Sequence, residues 1–168
     1  MRIQKRRKQA KTDYLRRMKL LKGGDSRIVF RKTNRYVISQ FIVSEEAKDK
    51  IKIGLTSLEL EKYGWSKNLK GSLKSLPAVY LTGLLFGKIV QKEIKNLKNF
   101  SVDSGMIRKI HKNRFFAFLK GIKDSGMQIT CEDKFFPDEE RIKGKHLKED
   151  FSSMFEKIKQ NIESKFGK

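Results

Sequence analysis

The first 35 residues carry more than half of the net positive charge of this chain. Fourteen of them are Lys or Arg and only two, Asp13 and Asp25, are acidic. This segment therefore has a net charge of +12, out of a formal net charge of +21 for the whole chain. The remaining 133 residues hold 26 basic and 17 acidic side chains and are positive as well. A chain with this charge repels itself, and a bound polyanion relieves the repulsion. We therefore predict a basic arm joined to a folded body. Nucleic acid is the leading partner and an acidic membrane surface is the alternative.

Several other protein classes do not fit the sequence. The most apolar run, 78–90, is about 13 residues long, contains Gly83, Gly87 and Lys88, and falls short of the roughly 20 residues that span a bilayer. No apolar stretch follows the basic start, so we expect no secretory signal. A single cysteine, Cys131, excludes an internal disulfide, and two isolated histidines give no metal-ligand spacing. We expect a cytosolic protein with no metal, cofactor, membrane partner or small-molecule substrate.

The basic arm divides into two parts. Residues 1–11 offer almost nothing to bury, so we expect them to be disordered until they order against phosphates. A stripe at helical spacing follows, formed by Tyr14, Leu15, Met18 and Leu21. Most of the neighbouring basic residues fall elsewhere on the helical wheel, and Gly23 and Gly24 supply a stop. The pattern predicts a short basic amphipathic helix.

Residues 27–43 predict a β-hairpin. Both halves are rich in β-branched and aromatic residues, and Asn34-Arg35 marks the turn because Asn tolerates positive φ in a two-residue loop. If Thr33 faces Tyr36, alternation gives one core face and one partly polar face. The core face carries Ile28, Phe30, Val37, Phe41 and Val43. The other face carries Arg27, Arg31, Thr33, Tyr36 and Gln40.

A third strand and two helices follow the hairpin. Alternating apolar residues in 51–55 predict the strand. Thr56 and Glu59 form a capping-box pattern for a short helix. A longer helix is predicted from about residue 75 to 92, with Pro77 in its first turn, where proline is tolerated.

A strand at 97–103 and a helix capped by Asn113 and closed at Gly126 complete the pattern. The order βββαβα, with a strand that returns after a helix, indicates an α/β sheet with packed helices. Residues 127–147 predict an irregular segment, and apolar spacing in 151–162 predicts a terminal amphipathic helix. We expect three regions, namely a basic arm with a short helix (1–22), an α/β domain (23–126) and a C-terminal extension with a helix (127–168).

Six segments in order resemble one known family. They are KTDY (11–14), RIVFRKTNRYVISQ (27–40), YGW (63–65), LPAVYLTGLLFGK (76–88), FFAFLKGIKDSG (115–126) and FPDEERIKGKH (136–146). The chain resembles the archaeal form of universal large-subunit ribosomal protein eighteen, and the resemblance runs from about Lys11 to His146. It implies a ribonuclease H-like, translational-machinery-component fold. It also implies a structural role on the cytoplasmic ribosome, in which the protein binds 5S rRNA and helps attach it to the large-subunit rRNA in the central protuberance, beside neighbouring ribosomal proteins.

We predict 21 candidate RNA-binding residues from their charge, their position and the resemblance. They are Arg2, Lys5, Arg6, Arg7, Lys8, Lys11, Tyr14, Arg16, Arg17, Lys19, Lys22, Arg27, Arg31, Lys32, Thr33, Asn34, Arg35, Tyr36, Lys112, Asn113 and Arg114. The alternative for the charged residues is a solvated surface, which is the usual fate of charge runs. Tyr14 fits either stacking on a base or packing on the apolar stripe. Asn113 fits either a phosphate site at a helix start or a simple cap.

Other conspicuous residues favour a structural interpretation. Trp65 suits either base stacking or a packing anchor between helices, and packing is favoured. Gly83 and Gly87 lie in an apolar helical context without the ending of a phosphate loop, which favours close helix packing. The phenylalanines of 115–118 favour the core. The charge order of 137–145 suits a short helix, and the terminal helix is expected to pack on its own domain rather than on a neighbour.

Two rival functions belong to other classes. A two-metal nuclease on a ribonuclease H-like sheet needs a cluster of carboxylates. The first strand, RIVFRKT, has no acid, and Asp103 stands alone at the end of the fourth, so we predict no catalytic residues and no enzyme activity. A free-standing RNA chaperone or translational regulator is compatible with the charge but does not account for the six segments.

Overall fold

The computed structural model describes residues 5–9, 12–46, 48–66, 73–94, 99–147 and 151–166. The α-helices in these ranges are α1 (Lys5–Lys8), α2 (Tyr14–Lys22), α3 (Leu76–Glu93), α4 (Arg114–Asp124), α5 (Glu139–Lys143) and α6 (Ser152–Phe166). The strands are β1 (Ser26–Lys32), β2 (Val37–Glu45), β3 (Lys48–Thr56) and β4 (Phe100–Asp103), and 3-10 helices occupy Ser57–Tyr63 and Asp133–Phe135. None of these helices has the length and apolar character to cross a bilayer.

The four strands form one mixed sheet in the order β3-β2-β1-β4. Strands β1 and β2 are antiparallel, with Lys32 opposite Val37, and β2 and β3 are also antiparallel, with a bulge between Phe41 and Ile42. Strand β4 lies parallel to β1, with Val29 opposite Asp103. This arrangement confirms the expected α/β architecture, a sheet with helices packed on it.

The hairpin turn lies where the sequence predicts it, but its conformation differs from the prediction. Outside glycine, the described residues with positive φ are Glu46 and Lys112, so neither turn residue adopts the left-handed region. The Thr33 side chain holds the turn instead: its Oγ1 donates to the Tyr36 carbonyl oxygen at 2.6 Å and accepts from the Tyr36 N–H at 3.0 Å. Hydrogen bonds of the Thr33 hydroxyl therefore stabilise the turn, where an asparagine with positive φ was expected.

Helices α3 and α4 cover the apolar face of the sheet. Ile28, Phe30, Val37 and Phe41 are buried on this face, as predicted, and the ring centroids of Phe30 and Phe118 lie 4.8 Å apart. The two helices meet where glycines face backbone, because a Cβ on Gly83 would overlap the Phe118 carbonyl oxygen. The predicted close packing of this helix is confirmed.

The short helix predicted after β3 is present as a 3-10 helix, but its predicted capping box is wrong. Thr56 is extended and makes no side-chain cap hydrogen bond, and Ser57–Tyr63 form a 3-10 helix. The buried Ser57 hydroxyl supplies the local bonds, since it donates to the Leu73 carbonyl at 2.7 Å and accepts from the Val37 N–H at 3.2 Å. The hydrogen bonds of this buried serine therefore join the start of the 3-10 helix to β2 and to Leu73.

The terminal helix α6 packs on its own domain. Its Phe155, Ile158 and Ile162 belong to the main core, and Asn161 Nδ2 donates to the Tyr63 carbonyl at 2.9 Å. Trp65 is buried with its ring centroid 4.8 Å from that of Phe151. The preferred interpretation of the tryptophan as a packing anchor is therefore confirmed. The phenylalanines of 115–118 are likewise buried in the core.

Candidate nucleic-acid interface

The basic arm is described only in part. Arg2 and Lys11 lie outside the described residues, and the side chains of Arg6 and Arg7 also lie outside the description. Lys5 and Lys8, at the two ends of α1, are exposed. The predicted phosphate contacts of the arm therefore stay predictions. The described part of the site begins with α2.

Helix α2 presents its arginines, not its apolar stripe, to the body. Asp13 caps it by accepting from the Arg16 N–H at 3.0 Å. Arg16 then donates to the Gly105 carbonyl at 2.9 Å and Arg17 donates to Asp49 at 2.9 Å. Two residues of the apolar stripe face solvent, since Leu15 is 75% exposed and Met18 is 56% exposed, while Tyr14 and Leu21 are half-buried.

The reason lies in the surface that receives α2. It is the polar side of the sheet, where backbone carbonyls and Asp49 offer acceptors to arginine side chains. Lys19 and Lys22 remain exposed on the helix, and no residue of α2 is buried. The helix is therefore held by hydrogen bonds and ion pairs more than by apolar packing.

Asp49 on β3 joins α2 to the sheet. Its two carboxylate oxygens accept from Arg17 at 2.9 Å and from Arg27 at 2.5 Å, and one also accepts from the Ser44 hydroxyl at 2.6 Å. Partial burial alone would raise the pKa of Asp49, but the Ser44 hydrogen bond and the charges of Arg27 and Arg17 outweigh it, so the pKa lies below its ordinary value. Asp49 therefore stays charged at neutral pH.

Arg31 and Asp103 form a second ion pair at the β1–β4 edge. Arg31 donates to the Asp103 carboxylate at 2.6 Å and to the Asp103 carbonyl at 3.0 Å, while its side chain remains 43% exposed. Burial opposes ionisation of Asp103, but the hydrogen bonds from Arg31 and the Gly105 N–H, with the charges of Arg31 and Arg16, lower its pKa. Asp103, the acid at the end of β4, is therefore charged and paired with Arg31.

A cavity of about 680 Å³ lies between α2 and this part of the sheet. It is lined by Thr12, Asp13, Tyr14, Arg16, Arg17, Leu20, Arg27, Arg31, Lys32, Asp103, Ser104, Gly105, Met106 and Ile107. Five of these side chains are cationic and two are acidic. The predicted residues of α2 and β1 therefore meet around one positively charged space.

The tip of the hairpin is an exposed group that adjoins the cavity through Lys32. Lys32, Asn34 and Arg35 are exposed, and Thr33 and Tyr36 are half-buried around the turn. Lys74, which sequence reasoning missed, donates from Nζ to the Asn34 carbonyl at 2.8 Å and adds a cation beside the tip. The tip places these residues at the end of the β1–β2 ribbon.

The loop between β4 and α4 contributes the third predicted group. Asn113 caps α4 through a 3.1 Å bond from the Phe116 N–H, and Arg114 is exposed. Lys112 has positive φ and donates to Asp138 at 2.9 Å. Sequence reasoning missed Arg108 and Lys109, which are exposed in the same loop. The signal that could have found them is the run of basic residues from 108 to 114.

Replacing Asp49 with asparagine is expected to release α2 from the sheet. The variant keeps the shape but removes the charge that holds Arg17, and it leaves Arg27 buried beside a neutral group. We expect the free energy of unfolding to fall by about 2 kcal/mol at neutral pH. Hydrogen exchange of the α2 amides should also accelerate. Denaturant titration and exchange mass spectrometry measure the two effects.

The control is Glu45→Gln, which removes an exposed carboxylate paired with Lys50 on the neighbouring strand and should leave the unfolding midpoint unchanged.

The contribution of Asp49 to stability depends on pH in a definite direction. The folded-state pKa of Asp49 is depressed, so its contribution is complete above the ordinary value of 3.8 and is lost as pH falls through the lower, folded-state pKa. Wild type and Asp49→Asn should therefore converge in acid. A constant difference across that range would contradict the assignment.

Comparison with known proteins gives consistent matches. The family model described as ribosomal large subunit proteins 60S L5 and 50S L18 matches residues 2–104. The large ribosomal subunit protein uL18 of Korarchaeum cryptofilum is 37% identical over 165 residues, which span 97% of this chain and 80% of that protein. The uL18 protein of Methanoculleus marisnigri is 41% identical over 145 residues, or 86% of this chain and 79% of that protein. The uL18 protein of Methanococcus maripaludis is 40% identical over 144 residues, which span 86% of this chain and 72% of that protein.

Proposed function

The chain belongs to the family of large-subunit ribosomal proteins that comprises 60S L5 and 50S L18, with archaeal uL18 proteins among its relatives, and we propose from this premise that it is a structural constituent of the cytoplasmic large ribosomal subunit. In this role it binds 5S rRNA and helps attach it to the large-subunit rRNA in the central protuberance. Its partners are these two RNAs and neighbouring ribosomal proteins.

One observation carries the RNA-binding part of the proposal. Hydrogen bonds from Arg16 and Arg31 converge on residues 103–105, so α2, the end of β1 and the β4–α4 loop share one region although they are far apart in the chain. Exposed cations occur on each of these segments. A surface of this kind neutralises several phosphates together and releases their counterions, which is the main source of affinity for RNA.

The predicted contacts then divide by role. Lys19, Lys22, Lys32, Arg35 and Arg114 are exposed and suited to bind phosphate directly. Arg17 and Arg27 are paired with Asp49, so we assign them to the positioning of α2. We extend the predicted set by two exposed residues of the β4–α4 loop, Arg108 and Lys109. Arg2, Lys5, Arg6, Arg7, Lys8 and Lys11 of the arm remain proposed phosphate contacts.

We also propose that the α/β body is of the ribonuclease H-like, translational-machinery-component class. Support comes from the sheet order β3-β2-β1-β4 with β4 parallel to β1, and from the placement of α3 and α4 on one face. The basic arm of residues 1–22, the α/β domain of 23–126 and the extension of 127–168 are the corresponding regions. The extension contributes Ile142, Phe155 and Ile158 to the same core.

A catalytic role is not supported by the residues at the sheet. Strand β1 carries no acid, and Asp103 is bonded to Arg31. No group of three His, Cys, Asp or Glu side chains able to hold a metal occurs within the ranges that the structure describes. The proposal is therefore a structural, non-catalytic role, in agreement with the family.

Co-sedimentation tests residence on the large subunit. A tagged copy is expressed in a related archaeon, and the large subunits are washed at about 0.5 M salt, which removes proteins held by weak surface charge. We expect the tag to remain in the large-subunit fraction in stoichiometric amount. A tag found only at the top of the gradient would contradict the proposal and favour a free RNA chaperone or translational regulator.

A further inference from the structure

We propose that the cavity between α2 and the sheet is a pocket for one unstacked nucleotide of the bound RNA. This inference rests on the proposed RNA-binding function and gives it a specific site. The pocket has two walls: α2 forms one, and β1 with residues 103–107 forms the other.

The size of the cavity fits this ligand. Its volume of about 680 Å³ lies within the range of roughly 300–1,000 Å³ that is usual for sites that take small organic ligands. A nucleotide is a ligand of this kind. Proteins that read RNA by sequence or shape commonly bind bases that have left the stack, because only such bases expose their faces and edges.

The charge of the walls fits a phosphate. The cationic residues are Arg16, Arg17, Arg27, Arg31 and Lys32, and the two acids are Asp13 and Asp103. Both acids are already engaged: Asp13 accepts from the Arg16 N–H and Asp103 accepts from Arg31 and the Gly105 N–H. Asp49 does not line the cavity but pairs with Arg17 and Arg27, so five cations face three acids in all and the walls keep an excess of positive charge.

Arg27 contributes charge to the wall rather than a free donor. The residue is 3% exposed, its Nη2 donates to Ser44 and Asp49, and its Nε is buried without a hydrogen-bond partner in the described part of the protein. Because the buried Nε cannot contact a ligand in the cavity, the donors that can reach a phosphate there include Arg31, whose side chain is 43% exposed, and Lys32.

Tyr14 supplies a surface for the base. It lines the cavity from the first turn of α2 and is half-buried there, and Leu20 and Ile107 also line the cavity. A tyrosine ring stacks on any base, and such stacking is a large part of the affinity for single-stranded nucleotides. The two roles considered for Tyr14, base stacking and apolar packing, are thus combined in one site.

The test uses the full-length protein, 5S rRNA and substitutions at two positions on opposite walls, Tyr14 and Lys32. Tyr14→Leu should weaken binding about tenfold or more with an unchanged salt slope, because it removes a stacking surface and no charge. Tyr14→Phe should restore binding to within about twofold of wild type, since the ring remains. Lys32→Gln, on the other wall, should lower the salt slope by about 0.7 to 0.9. Leu15→Ala, on the exposed side of α2, is the matched control and should bind as wild type does.

A direct readout comes from ultraviolet crosslinking followed by mass spectrometry. We expect an adduct between Tyr14 and one RNA nucleotide, which is lost with Tyr14→Leu. Wild-type affinity of Tyr14→Leu, together with normal RNA binding by the unmodified protein, would overturn the pocket and leave the RNA-binding function intact. Failure of the unmodified protein to bind 5S rRNA would overturn both. Binding of free nucleoside monophosphates at millimolar concentration without any effect on 5S rRNA affinity would also overturn the pocket as an RNA site, since it would show a site for free nucleotides that the RNA does not use.

Discussion

Replacing Gly121 with alanine is expected to lower the free energy of unfolding by about 3 kcal/mol. In an ordinary helix, this change gains stability because alanine has the higher helix propensity. Here a Cβ on Gly121 would overlap the Tyr80 carbonyl oxygen and lie 2.8 Å from the Leu84 backbone nitrogen. Backbone atoms cannot rotate away, so α3 and α4 must separate. Urea denaturation followed by the fluorescence of the buried Trp65 measures the loss.

The matched control for Gly121 is Gly23→Ala. Gly23 has φ of −65° and an added Cβ would have its nearest neighbour at 3.5 Å, the Leu20 carbonyl oxygen. We expect this variant to change stability by less than about 0.5 kcal/mol. If Gly121→Ala unfolded at the wild-type urea concentration, the two helices would not be in the close contact that the fold requires.

Deleting residues 1–22 is expected to weaken binding to 5S rRNA at least about a hundredfold at low salt and to flatten the salt dependence. The segment holds 10 basic residues and one acid. If only four of these cations each neutralise a phosphate, the slope of log affinity against log salt falls by about three. Filter binding or fluorescence anisotropy at several salt concentrations measures both quantities.

The same deletion should leave the body folded. No residue of α2 is buried, and the sheet, α3, α4 and α6 form their core without it. The control is the double variant Lys134→Gln, Lys157→Gln, which removes two exposed cations outside the proposed interface and should preserve the slope. An unchanged slope in the deletion variant would show that the arm is not the electrostatic anchor.

The strands and long helices were predictable because each carries a local signal. Alternation in 27–43 and 51–55 and apolar spacing in 75–92 and 113–126 depend on nearby residues, and the structure places β1 to β3, α3 and α4 there. The N-cap of α4 by Asn113 was predictable for the same reason. Patterns of this kind can be recognised from local sequence without knowledge of the distant residues that the element later contacts.

The orientation of α2 was not predictable from its own sequence. Its apolar stripe indicates a helix, but the receiving surface decides which face turns inward. Asp49 comes from β3 and Gly105 from the loop after β4, so the acceptors that attract Arg17 and Arg16 lie 32 and 89 residues away. A periodic pattern carries no information on such partners, and the exposure of Leu15 and Met18 follows from them.

The candidate site was predictable in its charge but not in its ion pairs. The basic residues of β1 were correctly placed on the face opposite the core, yet Arg27 is almost fully buried and bonded to Asp49. Its partner is 22 residues away, and the partner of Arg31 is 72 residues away. Strand pairing brings these groups together, so only the three-dimensional structure separates cations that are free to meet phosphate from those that position the site.

We propose that the folded surface recognises 5S rRNA by more than its charge. A competition titration with 5S rRNA and a transfer RNA, from about 0.1 to 0.5 M salt, separates shape from charge. We expect a preference for 5S rRNA that persists as salt rises, because the geometry of α2, the hairpin tip and the β4–α4 loop matches a shape rather than a charge density. Equal binding of the two RNAs that collapses together with added salt would contradict it.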